Sequence, residues 1–462
     1  MNKYKNIIIY GAGASGIMIK QLFDKQKEGS VFAFIDDNLS LNNRTLAGVK
    51  IIHSSFLNKD FIKENSIKAI ILSNIYIHLN KSSILADYNL PILLPKDVRD
   101  WNDGYVSLID ILEIDSSFII NRSSLKDLDS DTILQFQEKK IVITGASGSI
   151  GSEIVRQLSM ISKIQLILID IDESGLHDLF DSLENKHNCS FHVCDVSNFK
   201  ELERVFNKFD AIDSVFHAAA YKHVPIVEID PYPAIRVNVQ GTLNLCKLVE
   251  KHSIGDFTLV STDKAVNPTN IMGVTKRCAE IITTYYNYIS NNLFRCTRFG
   301  NVIGSRGSAI PKFIEQIKKG GPITLTHSDM TRYFMTIPEA TQLVIKSSII
   351  KNNGGILLFD MGAPIKLIEI IENLKDYYNA KDIKTEYIGL RKGEKMYEEL
   401  SMSSEDLTPT SDSKINIIIS DKPSEDLINE IYELLNHYEI LDVSQIRSEL
   451  KKIVPEYNFS NN

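Results

Sequence analysis

A short apolar strand, a glycine-spaced turn and an amphipathic helix follow one another twice in this chain, and no other feature restricts its fold as severely. The first copy is NIIIY at 6–10, GAGASG at 11–16 and IMIKQLFDK at 17–25, with VFAFIDD at 31–37 as the next strand. The second is KIVIT at 140–144, GASGSIG at 145–151 and SEIVRQLSM at 152–160, with QLILID at 165–170 after it. A strand can pass into a helix this abruptly only where glycine permits the sharp turn and keeps the backbone bare. Ile150, Ile154, Val155 and Leu158 fall on one helical face, so the helix must lie across a sheet. At 462 residues the chain exceeds one ordinary core, and two or three domains are expected.

Further strands are expected at 67–73 and 90–95 in the first copy, which makes residues 1–100 a small Rossmann-like domain. Residues 101–139 read as a polar connector with one or two short helices. The second copy continues with strands at HVCDV (192–196), SVFHAAA (214–220), FTLVST (257–262) and FRCTRFG (294–300), separated by helical stretches. Alternating strands and helices predict a doubly wound parallel sheet. From about 300 to 400 glycine and proline recur, as suits a small substrate-binding cap, and 424–453 within the tail 401–462 is charged and amphipathic, hence helical. The fold class is α/β, two tandem Rossmann-like domains, with a catalytic domain over 140–400.

Composition narrows the function. A net charge of −8 argues against a general nucleic-acid binder. The five cysteines form no CxxC pair, and neither HExxH nor a histidine cluster occurs, so disulfides and a metal site are not expected. No apolar run reaches the length of a membrane span, and the N-terminus lacks the pattern of a signal peptide, which together suggest a cytoplasmic protein.

The second turn carries the stronger cofactor reading. Gly145, Gly148 and Gly151 allow a pyrophosphate to approach, with Ser147, Ser149 and Ile150 at the positive helix end. Asp170 closes the next strand nineteen residues after Gly151, where a carboxylate accepts from both ribose hydroxyls and repels a 2′-phosphate. Ile171, Asp172 and Glu173 supply no arginine, which favours NAD over NADP. Asp195 and Val196 are placed to meet the adenine. The first turn, Gly11, Gly13 and Gly16, with Asp36 twenty residues beyond, can bind a nucleotide or serve as scaffold alone.

Residues 261–276 read STDKAVNPTNIMGVTK. Together with GASGSIGSE, HAAAYKHVP (217–225), NVQGT (238–242), RFGNVIGSRGS (298–308), TRYFMTIPEA (331–340) and GEKMYEEL (393–400), this stretch resembles the extended short-chain dehydrogenase/reductases. Within them it is similar to the UDP-N-acetylglucosamine 4,6-dehydratases of the polysaccharide-biosynthesis group. The resemblance implies oxidation at C4 to a ketone, loss of the C5 proton, departure of the 6-hydroxyl as water and return of hydride to C6. It implies Lys264 as the C5 base, Asp263 as the acid for the leaving hydroxyl, and Thr262 as the contact to the 4-hydroxyl. Lys276 would hold the nicotinamide ribose, with Ala218, Ala219, Ala220 and Asn238 also lining the cofactor. Met272 stands where most of the superfamily has tyrosine; a thioether moves no proton, and the long dehydratases with this methionine are associated with retention at C5. For the UDP-sugar, the resemblance marks Asn301, Ser308, Arg332, Arg391 and Glu394, with Lys222 and His223 near the sugar. His217, after an apolar strand, reads as a core histidine. Self-association is expected by analogy with the superfamily. Two rivals are an NAD-dependent nucleotide-sugar epimerase, which loses no water, and a non-catalytic NAD-binding regulator.

Overall fold

The computed structural model describes residues 4–26, 29–73, 85, 88, 90–95, 112–114, 128–350, 354–378 and 380–459. Most of the expected connector, at 101–111 and 115–127, lies outside the described residues, as do 96–100. The chain forms two compact units, one of residues 1–127 with 372–381, the other of 128–371 with 382–462.

In the first unit the strands are β1 (Tyr4–Tyr10), β2 (Gly29–Asp36), β3 (Thr45–Leu46), β4 (Val49–His53), β5 (Ala69–Leu72), β6 (Ile92–Pro95) and β7 (Leu112–Ile114), in the order β3-β4-β2-β1-β5-β6-β7. The five central strands are parallel. β7, inside the stretch read as a connector, adds an antiparallel edge to β6. Helix α1 (Ala14–Gln26) springs from the glycine turn. Ile7 and Ile9 pack with Phe23 in one core layer while Ile8 joins Ile62 and Leu72 in the other, the alternation a strand covered on both faces demands.

The second unit holds β8 (Lys140–Thr144), β9 (Gln165–Asp170), β10 (Cys189–Val193), β11 (Ser214–His217), β12 (Asp256–Val260), β13 (Leu293–Arg298), β14 (Gly355–Phe359), β15 (Leu407–Pro409) and β16 (Ile415–Ile418). Their order is β10-β9-β8-β11-β12-β13-β14-β16-β15, parallel through β14 and antiparallel beyond it. Strand order reverses between β8 and β11, so a crevice opens at their carboxyl ends, the place where such sheets bind ligands. Its helices include α2 (Ser149–Ser159), α3 (Ile271–Ile289), α4 (Ile337–Ile349), α5 (Glu425–His437) and α6 (Val443–Ile453).

Two expectations shift in detail. The strand read at 192–196 lies at Cys189–Val193, because Asp195 folds back to accept from Ser197 N and Oγ and so leaves the ladder. The region read as a cap from about 300 also extends the sheet, since α4 crosses to β14, and the tail expected to be helical from 401 begins with β15 and β16, which finish the sheet. Beyond the sheet this region holds a helix at Ala309–Lys318 and short strand pairs, 301–303 with 334–336, 323–325 with 385–387, and 331–332 with 365–366. The helical tail is core, with Ile428, Ile431, Leu434, Ile446 and Leu450 in the same cluster as Val142 and Ile167.

Candidate active site

The glycine turn after β8 is packed so closely that only glycine fits. A Cβ on Gly145, at φ +67°, would lie 2.5 Å from the Ala219 nitrogen and 2.7 Å from the Ala218 carbonyl carbon; one on Gly151 would lie 2.0 Å from the Gly145 oxygen. The turn, α2 and the Ala218–Ala220 segment thus meet at the strand-order reversal. Gly148 caps α2 with no side-chain hydrogen bond, and the Ser149 hydroxyl accepts from Arg306 N at 3.1 Å. Asp170 Oδ2 accepts from Ser147 N and Oγ at 2.9 and 2.8 Å, and its Oδ1 from Asp172 N. The first unit repeats the device, with Asp36 Oδ2 accepting from Ala12 N.

The local sequence showed no arginine beside Asp170, but the fold brings one: Arg306 Nη1 lies 3.7 Å from Asp172 Oδ2. Asp195 caps its own loop, and Val196 is buried against Gly241. Asn238, on a π-helical stretch Ile235–Gly241, accepts from Tyr221 N and donates to Tyr221 O and Thr275 Oγ1. It pins the loop after β11 to α3, and π-turns of this kind recur at functional sites.

The sequence-predicted catalytic residues converge at the end of β12. Thr262 Oγ1 donates to Asp263 Oδ1 at 2.8 Å. Lys264 Nζ donates to the same oxygen at 3.0 Å and to Asn301 Oδ1 at 2.9 Å. Asp263 is fully buried, and its Oδ2 has no hydrogen-bond partner among the described residues. Lys276, one turn beyond Met272 on α3, donates to the Val260 carbonyl at 2.6 Å, and burial pushes its pKa down to about 8. Met272 is 2 % exposed and belongs to the core. His217 is a core histidine: its ring sits between Thr144 and Thr242 hydroxyls at 2.7 and 3.1 Å, and burial pushes its pKa down to about 3.

One residue that the sequence reading did not single out completes the cluster. Glu398 Oε1 lies 3.8 Å from Lys264 Nζ and 3.6 Å from Arg332 Nε, with its side chain 4 % exposed and its Oε2 unpartnered among the described residues. Burial opposes the Lys264 charge, yet Asp263 and Glu398 outweigh it and raise its pKa. The clue was present in the GEKMYEEL string, which the fold ties to the loop after β12: Thr269 Oγ1 and Asn270 Nδ2 both donate to the Gly393 carbonyl, and Lys395 Nζ donates to the Val266 carbonyl.

The residues expected at the UDP-sugar divide into two groups. Asn301 is in the cluster, and His223 packs its ring on Gly307, where a Cβ would meet it at 2.3 Å. Lys222 is exposed; desolvation and, after it, the Arg306 and Lys264 charges lower its pKa. Ser308 Oγ is buried without a partner among the described residues. Arg332, expected on a phosphate, is instead turned onto the protein, donating to the carbonyls of Thr331, Lys395 and Met396, so its guanidinium fixes Glu398. Arg391 is exposed, and its N–H donates to Glu394 Oε2 in a local turn.

Residues 141–420 match the family model described as polysaccharide biosynthesis protein, and residues 6–72 match that of the PglD N-terminal domain. The probable polysaccharide biosynthesis protein EpsC of Bacillus subtilis is 35 % identical over 405 residues, covering 85 % of this chain and 68 % of the relative. A UDP-glucose 4-epimerase of Rickettsia canadensis is 36 % identical over 285 residues, 60 % of this chain and 81 % of the relative. Among solved structures, Pen from Bacillus thuringiensis superposes with a TM-score of 0.58 at 32 % identity, over 63 % of this chain and 92 % of Pen.

Proposed function

The chain belongs to the polysaccharide biosynthesis protein family, and from that premise we propose that it is an NAD-dependent UDP-N-acetylglucosamine 4,6-dehydratase acting with retention at C5. At the coarser level it is a nucleotide-sugar-modifying enzyme of the extended short-chain dehydrogenase/reductase superfamily. The observation that carries the finer reading is the Thr262–Asp263–Lys264 cluster around the fully buried Asp263, an acid, a base and a hydroxyl within hydrogen-bond reach, beside a tyrosine position filled by Met272.

The residues fit NAD. Gly145 leaves the backbone bare where a pyrophosphate would lie, the α2 N-terminus faces the same crevice without a side-chain cap, and Asp170 keeps lone pairs on both oxygens for ribose hydroxyls. When bound, NAD supplies a reversible hydride acceptor. Lys276 would hold the nicotinamide ribose, Thr262 would take the 4-hydroxyl proton and pass it to Asp263, and Asp263 would deliver it to the departing 6-hydroxyl. Lys264 would remove the C5 proton and return it to the same face.

The Rickettsia relative supports one rival, a nucleotide-sugar 4-epimerase. Incubation with UDP-N-acetylglucosamine and mass spectrometry separates the two, because only the dehydratase product is lighter by one water. Lys264→Ala should end water loss while the protein still holds NAD; a Lys264→Ala protein that keeps dehydrating would refute the assigned base.

A further inference from the structure

Resting on the dehydratase reading, a proton count exposes a gap that the described roles leave open. To act as a base, Lys264 must be an amine. Its surroundings favour the ammonium: the charged groups facing it are Asp263 from its own loop, Glu398 from the 393–400 segment, Arg332 from the 331–332 strand and Lys222 from the loop after β11. The carboxylates of Asp263 and Glu398 balance the charges of Lys264 and Arg332, so that these four, with exposed Lys222 set aside, sum to zero, a balance that a proton lost to solvent would upset. Once the sugar is a ketone, two protons have to be held inside the site, one from the 4-hydroxyl and one from the Lys264 ammonium. Asp263 can hold one. Met272 can hold none.

We propose that Glu398 is the positioning residue and proton partner of Lys264, taking the ammonium proton so that the amine is free to attack the C5 hydrogen. Its carboxylate is 4 % exposed, anchored by Arg332 at 3.6 Å, and lies 3.8 Å from Lys264 Nζ, so a swing of the lysine terminus by about 1 Å closes a hydrogen bond. In the step an N–H bond of Lys264 breaks and an O–H bond forms on Glu398, and the pair stays neutral in sum. After water has left with the Asp263 proton and Lys264 has returned its own to C5, Glu398 gives its proton back to Lys264. The 4-hydroxyl proton ends in the released water, so every group regains its starting state. Glu398 touches no substrate atom in this scheme.

The test uses the full chain with NAD and UDP-N-acetylglucosamine. Water loss by the unsubstituted protein first checks the dehydratase reading by itself. Glu398→Gln should then lower kcat at neutral pH by at least about tenfold, with KM within about twofold and bound NAD unchanged. Glu398→Asp should recover part of the rate. Glu398→Gly should regain activity when formate is added, a rescue that a structural role would not show. The proposal is overturned if a folded, NAD-containing Glu398→Gln protein turns over as fast as the parent or faster with its acid limb moved to lower pH. In that case the carboxylate merely restrains Lys264. Failure of formate to restore a folded Glu398→Gly protein overturns it as well.

Discussion

Arg298→Met should weaken the catalytic unit more than any other single truncation near the site. Arg298 is fully buried and grips Glu280 through Nε–Oε1 and Nη2–Oε2 bonds of 3.1 and 2.7 Å, and Glu405 through Nη1 at 3.1 and 2.8 Å. Glu280, also fully buried, accepts from Ser261 Oγ at 2.7 Å and Arg277 Nη1 at 3.1 Å. The network therefore joins β13, α3, the loop at Glu405 and the residue before Thr262. Without Arg298, Glu280 keeps Arg277 and, among the described residues, Glu405 keeps only its bond from Met402 N. Breaking a buried pair in this way costs about 3–5 kcal/mol, because a charge is stranded. For a unit of this size that corresponds to a fall in melting temperature of about 4–7 °C. Calorimetry is the suitable assay, since two compact units need not melt together. Replacing Glu280 by leucine as well should recover about 2–3 kcal/mol of the loss, the coupling between the partners. The pH dependence carries a sign. Burial pushes the Glu280 pKa up, but Arg298 and Arg277 outweigh it and hold it below the ordinary value. Its stabilisation is thus present above the ordinary glutamate pKa of about 4.3 and lost as pH falls through the lower folded value; Arg298→Met should move that acid loss to higher pH. A single variant that melts within about 2 °C of the parent would refute the reasoning.

Other substitutions test the remaining parts. Gly145→Ala forces a Cβ against Ala218 and Ala219 at positive φ, so the purified protein should lose its dinucleotide, read by chromatography of the denatured sample; full retention would count against the assigned crevice. His217→Gln removes a group whose pKa is about 3 in the folded chain, against about 6.5 unfolded. The unfolded chain takes up a proton between those values and the folded chain does not, so the variant should lose stability less steeply as pH drops through that window. At neutral pH it should be weaker by about 1–2 kcal/mol through poorer bonds to Thr144 and Thr242, and a melting profile of unchanged slope would contradict the buried neutral histidine.

Local chemistry was readable in the chain, and long-range partnership was not. KIVIT and QLILID appear as strands residue for residue, since a glycine turn marks where one ends and a fully buried parallel strand must be apolar throughout. STDK could be set at a strand end by the same reasoning. GEKMYEEL could be recognised as a string, but its attachment to NPTN at Gly393, more than a hundred residues away, depends on side chains meeting across the fold. Arg332 shows the consequence: the resemblance sets it at the UDP-sugar, and only its bonds to Thr331, Lys395 and Met396 carbonyls reveal that it secures Glu398. Arg306 reaches Asp172 by the same kind of route. The tail was legible as amphipathic helix, yet not its target, where Arg447 of α6 pairs with buried Glu228, whose other oxygen accepts from Ile271 N at the start of α3.

Met272 brings these threads to one residue. Its place four before Lys276 suggests a side chain turned toward the sugar, where a phenol would stand in most of the superfamily. The fold instead leaves it 2 % exposed in a core shared with Ile271 and Val274. Installing tyrosine there would add a ring to a filled space at about 1–3 kcal/mol and bury a hydroxyl that needs a partner at about 1–3 kcal/mol more. Met272→Tyr should therefore melt earlier and dehydrate no faster than the parent, with the C5 outcome unchanged. If it kept its melting temperature and inverted C5 in deuterated water, the methionine would have to face the substrate. The proton route through Thr262, Asp263 and Lys264 would then lose its reason, because that route is required only when the residue at this position can neither reach nor carry the proton.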